Sequence, residues 1–311
     1  MVSRLHDPYN LSRNIVRAKQ LGTPIVALES TVITHGLPKP ENLKLAREME
    51  STVHNNGAAP ATIAFIDGKI HVGLSDEMLE NLANSKTTRK ISLRDFGIAL
   101  AGGMSGGTTV ASTLFIASLA GINVFATGGI GGVHRGWQFD VSADLNQLGK
   151  SSVLVVCSGA KSILDLPATR EVLETQGVPV IGYQTDEFPA FYTRRSGLPV
   201  DHRVETPQEA AQIALETWKS GIESAVLLVV PPPEESAMDE NEMESAIEAA
   251  LQDAKKSKIH GSKMTPFLLS RVSELTGGVS LQTNLALLKN NAKIGALVSV
   301  AMSEFEKRNS F

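Results

Sequence analysis

Short apolar runs alternate with amphipathic segments along most of the chain, and this alternation predicts a layered α/β fold. Runs of aliphatic and β-branched residues indicate buried strands, whereas apolar residues spaced three and four positions apart indicate helices. We predict strands at 24–28, 61–65, 69–73, 90–92, 124–127, 153–157, 178–183 and 225–230, and helices at 41–54, 75–83, 108–119 and 206–221. The chain after 231–233 is predicted to be mostly helical. This order favours a three-layer α/β/α fold with helices on both faces of a sheet.

Turn residues refine this picture. Asp67-Gly68 lies between two apolar runs and is a favoured hairpin turn, so the central sheet should be mixed but mostly parallel. The first twenty residues are read as a polar lead-in or a short helix. No repeat or linker separates the remainder, so we expect a single domain over 1–311.

Composition excludes several classes of protein. The 311 residues are 42% hydrophobic and 20% charged with a formal net charge of −4, which argues against a broad nucleic-acid surface. The single cysteine, Cys157, excludes an intrachain disulfide framework and a thiolate zinc site, and its apolar neighbours make it a core residue. No apolar run reaches the roughly 20 residues of a membrane span, and no signal peptide is visible. We expect an intracellular protein of the cytoplasm, or of an organelle matrix such as the peroxisome if a targeting segment was removed.

Lys161 is the first candidate for chemistry. It follows the apolar run 153–157 and the tight exit Ser158-Gly159-Ala160. An apolar frame disfavours the charged ammonium and favours the free amine, a nucleophile that forms Schiff bases with carbonyls. The alternative is a loop lysine that simply extends to the surface.

The glycine-rich stretch 102–109 is the second candidate. It leads directly into a predicted helix, where backbone N–H groups and the helix N-terminus favour a phosphate, with Thr108 and Thr109 as hydroxyl donors. The stretch lacks the lysine of a P-loop, which argues against a nucleoside triphosphate. The alternative is a glycine-rich turn needed only for packing.

Two aspartates, Asp140 and Asp144, form the third candidate. Four residues apart, they would share one face of a helix and could hold a divalent cation or a sugar, with Ser142 between them. Alternatively, Asp140 or Ser142 caps a helix that stops at Gly149. His134 in the preceding loop could ligate a metal, transfer a proton or hydrogen-bond the loop.

Glu29 is the fourth candidate, at the end of the predicted strand 24–28. Burial there would raise the pKa of the carboxyl, as a general acid requires, although a turn or cap contact is an alternative role. Glu29, Thr127 and Lys161 all lie at the ends of predicted strands or just beyond them. Because ligands of open α/β sheets bind beyond the carboxyl ends of the strands, we expect these residues to share a site.

Several blocks of the sequence resemble the pseudouridine-5′-phosphate glycosidase (indigoidine synthase A-like) family. The resemblance covers the chain from about residue 24 to its C-terminal helix and is carried by ALESTVITHGLP, PATIAFIDGKIHVGL, TTVAST, FATGGIGGVHRG, FDVSADL, CSGAKSILD, GVPVIGYQTDEFPAF, TPFLLSRVSELTGG and SLQTN. It implies an α/β/α fold, a homotrimer, and reversible cleavage of pseudouridine 5′-phosphate to uracil and ribose 5-phosphate by an enzyme of the hydro-lyase class. The partners would be these small molecules, with neither nucleic acid nor membrane.

The resemblance also implies roles for individual residues. Lys161 would be the imine-forming nucleophile, Glu29 the proton donor, and Asp140 the ligand of a divalent metal, Mn²⁺, held largely through water. Contacts to the sugar phosphate and the base would come from Lys90, the Val110 backbone, Thr127, Ser142, Ala143, Asp144 and Asn284, with a possible role for His134. A class I aldolase-like lyase on another sugar phosphate, or a non-catalytic sugar-phosphate-binding module, are the alternative functions.

Overall fold

The structure, a computed structural model, describes residues 9–136, 140–259 and 264–309, so the first eight positions of the predicted lead-in lie outside it. The strands are β1 Tyr9–Leu11, β2 Ile25–Leu28, β3 Ala59–Ile66, β4 Lys69–Val72, β5 Arg89–Ile91, β6 Gly106–Thr108, β7 Val124–Ala126, β8 Val133–His134, β9 Leu154–Cys157, β10 Leu164–Asp165, β11 Val180–Tyr183, β12 His202–Val204 and β13 Val226–Val229. The helices are α1 Arg13–Leu21, α2 Glu41–Asn55, α3 Asp76–Asn84, α4 Phe96–Ala101, α5 Val110–Leu119, α6 Ala143–Leu148, α7 Leu166–Thr175, α8 Pro207–Lys219, α9 Glu240–Lys256, α10 Met264–Leu275 and α11 Val279–Asn309. Short turns of 3₁₀ and π-helix fill parts of the loops.

The central sheet is mixed and mostly parallel, as the sequence predicts. Its strand order is β1-β4-β3-β2-β7-β9-β13-β11-β12, and β6 joins β3 and β5 beside this path. Among the described residues, the pairings of β3 with β4 and β6 are antiparallel, and the other pairings of this sheet are parallel. β8 and β10 form a separate antiparallel ribbon.

Helices cover both faces of the sheet, which confirms the three-layer α/β/α prediction. Every residue of β7, β9 and β13 is buried, as expected for parallel strands with helices on either side. The long helix α11 packs between α2 and α8 over β2, β7 and β9, while α5 packs against α6 and α6 against α7 on the opposite face. Gly295 lets α11 approach the sheet closely, because a Cβ there would lie 3.1 Å from the Ala126 side chain. Within the described ranges, no helix combines the length and apolar character needed to cross a bilayer.

The predicted hairpin is present and has the expected turn. β3 and β4 pair antiparallel across Asp67 and Gly68, whose φ angles of 48° and 69° are those of a primed hairpin turn. This hairpin introduces the antiparallel part of the sheet.

The glycine-rich stretch differs from the phosphate loop that we considered. Gly106 and Gly107 lie in β6, where a Cβ would collide with the backbone of Arg89 and Ser30 respectively. Thr108, predicted to begin a helix, ends β6 fully buried, and its hydroxyl donates to the Ile63 carbonyl at 2.7 Å. The helix instead begins at Val110, capped by Thr109. Close packing therefore explains these glycines, and Thr108 is not available to a ligand.

Candidate active site

Three of the predicted site residues follow neighbouring parallel strands. β2 pairs with β7 and β7 with β9, in a register that places Leu28 beside Ala126 and Ala126 beside Val156. Glu29 and Thr127 directly follow the first two strands, and Lys161 follows the third after a three-residue exit. The expectation that these residues share one edge of the sheet is therefore confirmed.

Backbone hydrogen bonds between two loops fix the position of Lys161. The Ser158 N–H donates to the Gly128 carbonyl at 2.8 Å, and the Lys161 N–H donates to the Ile130 carbonyl at 3.1 Å. Gly159 has φ 79°, and a Cβ there would collide with the Pro189 carbonyl oxygen, so the exit requires glycine. The segment Ser158-Gly159-Ala160 that leads to Lys161 is thus held by backbone hydrogen bonds to the loop after β7.

Glu29 is buried and carries the expected pKa perturbation. Its side chain accepts a hydrogen bond of 2.5 Å from the Thr127 hydroxyl. Burial raises the pKa of the Glu29 carboxyl, and the Lys161 ammonium and the Thr127 hydroxyl only partly oppose this rise. The carboxyl therefore retains a proton to higher pH than an exposed glutamate, which suits a general acid.

Thr127 holds Glu29 and lies outside the walls of the two cavities described below. The residue is fully buried, its hydroxyl is committed to Glu29, and its carbonyl accepts from the Asn291 side-chain amide at 2.9 Å. Thr127 therefore orients the Glu29 carboxyl, and its contact with a substrate stays a prediction.

Two cavities meet at Glu29 and Lys161. One has a volume of about 340 Å³ and the other of about 60 Å³. Five residues line both of them, namely Glu29, Thr31, Lys90, Lys161 and Thr265. A ligand that occupied both cavities would therefore pass the candidate acid and the candidate nucleophile at the point where the cavities meet.

Most residues that line the larger cavity have polar or charged side chains. Most of the residues expected to contact a sugar phosphate lie there: Lys90, Val110, Ser142, Ala143 and Asp144, together with His134 and Asp140. The lining of the smaller cavity includes the amide of Asn284 and apolar side chains such as Phe191 and Leu288. The larger cavity thus offers charged and hydroxyl groups to a ligand, and the smaller one adds apolar walls and an amide.

The two aspartates do not share a helix face, which corrects the spacing argument. α6 begins only at Ala143, and Ser142 caps it by accepting from the Asp144 N–H at 3.2 Å. Asp140 lies before the helix, where its carbonyl accepts from the His134 N–H. The Ser142 cap and the helix end at Gly149, offered as the alternative, are confirmed.

Asp144 braces the wall of the larger cavity. Its two carboxylate oxygens accept from the Ala111 N–H and the Gly131 N–H, both at 2.8 Å. One carboxylate therefore joins the start of α5 to the loop after β7. It lines the cavity while both oxygens hold the backbone in place.

Burial also affects the bases around the cavities. The pKa of Lys90 is lowered by burial first and by the nearby Lys161 second, with Asp144 and Glu29 opposing. Burial lowers the pKa of His134, which Asp140 partly offsets, so this imidazole is predominantly neutral near pH 7.

Burial raises the pKa of the Cys157 thiol to about 12, which confirms it as a core residue rather than a nucleophile.

The donor set for a metal is sparse. Across the described ranges, no group of three or more His, Cys, Asp or Glu side chains is arranged to hold an ion. Asp140 and His134 line one cavity, while the oxygens of Asp144 are engaged by backbone N–H groups. These residues fit only a cation that keeps most of its water, as Mg²⁺ and Mn²⁺ do beside phosphates.

Two residues that support the site were not predicted. Arg135 donates to the carbonyls of Ser162 and Leu164, at 3.0 and 3.1 Å, and forms a double ion pair with Glu244 of α9. Asn291 of α11 donates to the Thr127 carbonyl and to the Ser158 hydroxyl at 3.1 Å. Asn291 lies three and four positions after the buried Leu288 and Leu287, on the apolar face of α11, and this spacing was the available signal for the second.

Comparison with known proteins matches most of the chain to one family. Residues 14–301 match the family described as indigoidine synthase A like protein. The pseudouridine-5′-phosphate glycosidase of Caldanaerobacter subterraneus subsp. tengcongensis is 51% identical over 300 residues, covering 96% of this chain and 98% of that protein. The pseudouridine-5′-phosphate glycosidase of Herpetosiphon aurantiacus is 56% identical over 283 residues, covering 90% and 93%. Among solved structures, the prealnumycin C-glycosynthase AlnA in complex with ribulose 5-phosphate has a TM-score of 0.90 at 40% identity, covering 98% of this chain and 100% of that one.

Proposed function

Because the chain belongs to the indigoidine synthase A-like family, we propose that it is a pseudouridine-5′-phosphate glycosidase. The reaction is reversible cleavage of the C–C bond between ribose C1′ and uracil C5, giving uracil and ribose 5-phosphate. The observation that carries the proposal is the shared position of Glu29 and Lys161 where the two cavities meet. Relatives about half identical to this chain and named for this activity support it.

The proposed first step opens the ribose ring. The Lys161 amine attacks C1′, a C1′–N bond forms, and the C1′–O4′ bond breaks with its electrons and a proton going to O4′. The product is an open-chain adduct in which C1′ carries both the lysine nitrogen and the uracil carbon. A pair of carboxylates, as in ordinary glycosidases, would offer no comparable acceptor for charge at C1′.

The second step breaks the C–C bond. The protonated Glu29 carboxyl gives its proton to uracil C5, the nitrogen lone pair forms a C1′=N iminium, and the electrons of the C1′–C5 bond return to the uracil ring. Uracil leaves with a C–H bond at that position. Water then adds to the iminium carbon, Glu29 recovers a proton from it, and ribose 5-phosphate and free Lys161 are released.

The cavities divide the substrate between them in this proposal. The ribosyl phosphate occupies the larger cavity, beside Lys90, the start of α5 at Val110, and the residues Ser142, Ala143 and Asp144. The uracil ring occupies the smaller cavity, where the Asn284 amide can donate to one ring oxygen and accept from a ring N–H. The reacting bond then lies beside Glu29 and Lys161.

A divalent cation, Mn²⁺, is part of the proposal. Asp140 would hold it with water and substrate oxygens as the other ligands, and His134 lies on the same cavity wall. Bound there, the ion would neutralise negative charge on the sugar phosphate. Mn²⁺ binding followed by calorimetry or electron paramagnetic resonance should weaken about tenfold or more in Asp140→Asn. Equal affinity in wild type and variant would remove Asp140 from this role.

The proposal also includes a homotrimer, which rests on the family resemblance. Light scattering coupled to size exclusion should give about three times the chain mass of 33.2 kDa. A mass of one or two chains at micromolar concentration would contradict it.

The direct test of function is release of uracil. Purified protein with pseudouridine 5′-phosphate should give equal amounts of uracil and ribose 5-phosphate, and uracil with ribose 5-phosphate should give back the nucleotide and water. Uridine 5′-phosphate is the matched control, since its base is joined through nitrogen and should not be cleaved. If pseudouridine 5′-phosphate gives no uracil, the glycosidase assignment is wrong. A lysine adduct with ribose 5-phosphate would then favour an aldolase-like lyase, and binding without an adduct a sugar-phosphate-binding module.

A further inference from the structure

One buried hydroxyl in the site has no hydrogen-bond partner. Within the described residues, the buried side-chain polar atoms without a partner are Oγ1 of Thr31 and Oγ of Ser162. Buried polar groups are nearly always hydrogen-bonded, because an unpaired one loses its hydration without compensation. Each of these two hydroxyls therefore needs an explanation.

The hydroxyl groups near Thr31 are hydrogen-bonded, whereas its own is not. Thr31 directly precedes the π-helical turn Val32–Gly36 with helical backbone angles, and its side chain makes no capping bond. The neighbouring Ser30 is fully engaged, donating to the Ile63 carbonyl and accepting from the Thr108 N–H at 2.9 Å. Thr34 donates to the Ser30 carbonyl at 3.3 Å. The unpaired state is thus peculiar to Thr31 within this turn.

Thr31 also has a distinctive place in the site. It lines both cavities, together with Glu29, Lys161, Lys90 and Thr265. Its hydroxyl is buried in the structure, and rotation about the Cα–Cβ bond exchanges the positions of the hydroxyl and the methyl group. Both rotamers suit a threonine in helical backbone, and Thr31 has φ −62° and ψ −32°. The hydroxyl can therefore turn toward a bound ligand at little cost.

We propose that Thr31 is a further substrate-binding residue, whose hydroxyl hydrogen-bonds the ribosyl group beside the bond that breaks. In the proposed binding mode, the ribosyl end of the ribosyl phosphate, rather than its phosphate, lies at the junction of the two cavities, which Thr31 lines. This inference rests on the proposed glycosidase function. It accounts for an unpaired hydroxyl that is a cost to the free protein and gains a partner in the complex.

Ser162 provides the matched control. It is buried and its hydroxyl is also unpaired, but it lines neither of these two cavities and faces a separate surface groove. Replacement of either hydroxyl by an apolar group of similar shape removes an unpaired polar atom and should raise Tm. The proposal predicts that activity falls only for Thr31.

The experiment compares Thr31→Val, Thr31→Ser and Ser162→Ala with wild type, measuring uracil release from pseudouridine 5′-phosphate and thermal unfolding. Thr31→Val should lose about 10- to 100-fold in kcat/KM while its Tm is unchanged or higher. Thr31→Ser keeps the hydroxyl and should stay within a few fold of wild type. Ser162→Ala changes only the side chain and keeps the carbonyl that Arg135 binds, so it should match wild type in activity.

Two results would overturn the inference. Thr31→Val with wild-type kcat/KM would show that the hydroxyl does not contact the substrate. If Thr31→Val folds poorly, Thr31→Ala and Thr31→Ser replace it as a pair that differs by one hydroxyl, and equal kcat/KM in that pair refutes the role. Wild-type protein that releases no uracil would instead refute the glycosidase function itself, so the two failures are distinguishable.

Discussion

Loss of the Thr127 hydroxyl should move the alkaline limb of the pH profile for cleavage to higher pH. Thr127→Val keeps the shape of the side chain and removes the 2.5 Å hydrogen bond to Glu29. That bond favours the ionised carboxylate and opposes the rise in pKa caused by burial. Without it, Glu29 should hold its proton at higher pH, and the general acid should remain active there.

The expected size of the pKa shift of Glu29 follows from the charge on the carboxylate that accepts the hydrogen bond. Hydrogen bonds to charged groups contribute about 1.5–3 kcal/mol, and the lower end corresponds to about a tenfold change in the ratio of protonated to ionised carboxyl. The site is buried, so water cannot readily replace the lost donor. A fall in kcat at the optimum should accompany the shift, because the carboxyl also loses an orienting contact.

The assay is kcat/KM for uracil release between about pH 5 and 10 for wild type, Thr127→Val and Thr127→Ser, since this ratio reports ionisation of the free enzyme. The serine variant keeps the donor and should follow wild type. Thermal unfolding of each variant checks that the fold is retained. An alkaline limb that stays in place or moves to lower pH in Thr127→Val would refute the reasoning.

Three other substitutions probe the remaining parts of the site. Lys161→Ala should lose turnover by about six orders of magnitude, as loss of a nucleophile does elsewhere, while calorimetry still detects ribose 5-phosphate binding; near-normal turnover would show that another group attacks C1′. Glu29→Gln should stabilise the protein increasingly as the pH rises. The folded-state pKa of Glu29 is raised by burial, so its contribution to stability is present below the unfolded pKa and lost as the pH rises through the folded value. Melting curves in which the advantage of Glu29→Gln shrinks with rising pH would contradict this sign. Arg135→Lys should lower kcat about tenfold with little change in KM, because lysine cannot donate to both the Ser162 and Leu164 carbonyls that hold the Lys161 loop. Arg203→Lys, whose arginine pairs only with exposed acids, is its control, and an equal effect of the two substitutions would argue against a positioning role.

The strands that carry the site were predictable because their signals are local. The apolar runs that become β2 and β9 are short, uninterrupted and bounded by turn residues, so Glu29 and Lys161 could be placed at strand exits. Parallel strands end at one edge of a sheet, and the proximity of these residues followed from that geometry. The raised pKa of Glu29 followed in turn from burial.

The errors arose where pairing with another segment of the chain decides local structure. Thr108 fits a helix by its neighbours, but β6 pairs with β3 and β5, which lie outside the local stretch of sequence that suggested the helix. Asp140 fits a helical spacing with Asp144, but Val141 bridges to Val133 and keeps the chain extended until Ser142 caps α6. The hydrogen bond from Thr127 to Glu29 could not be predicted either, because the two residues lie 98 positions apart in the chain.

Trapping of the lysine adduct tests the central claim most directly. Wild-type protein is incubated with ribose 5-phosphate and borohydride, and its peptides are analysed by mass spectrometry, with Lys161→Arg as the control. The account predicts a reduced ribosyl-phosphate adduct on the peptide containing Lys161 in wild type and none in the variant. A fully active enzyme that gives no adduct at Lys161, or an adduct on Lys90 instead, would contradict the assignment of the nucleophile.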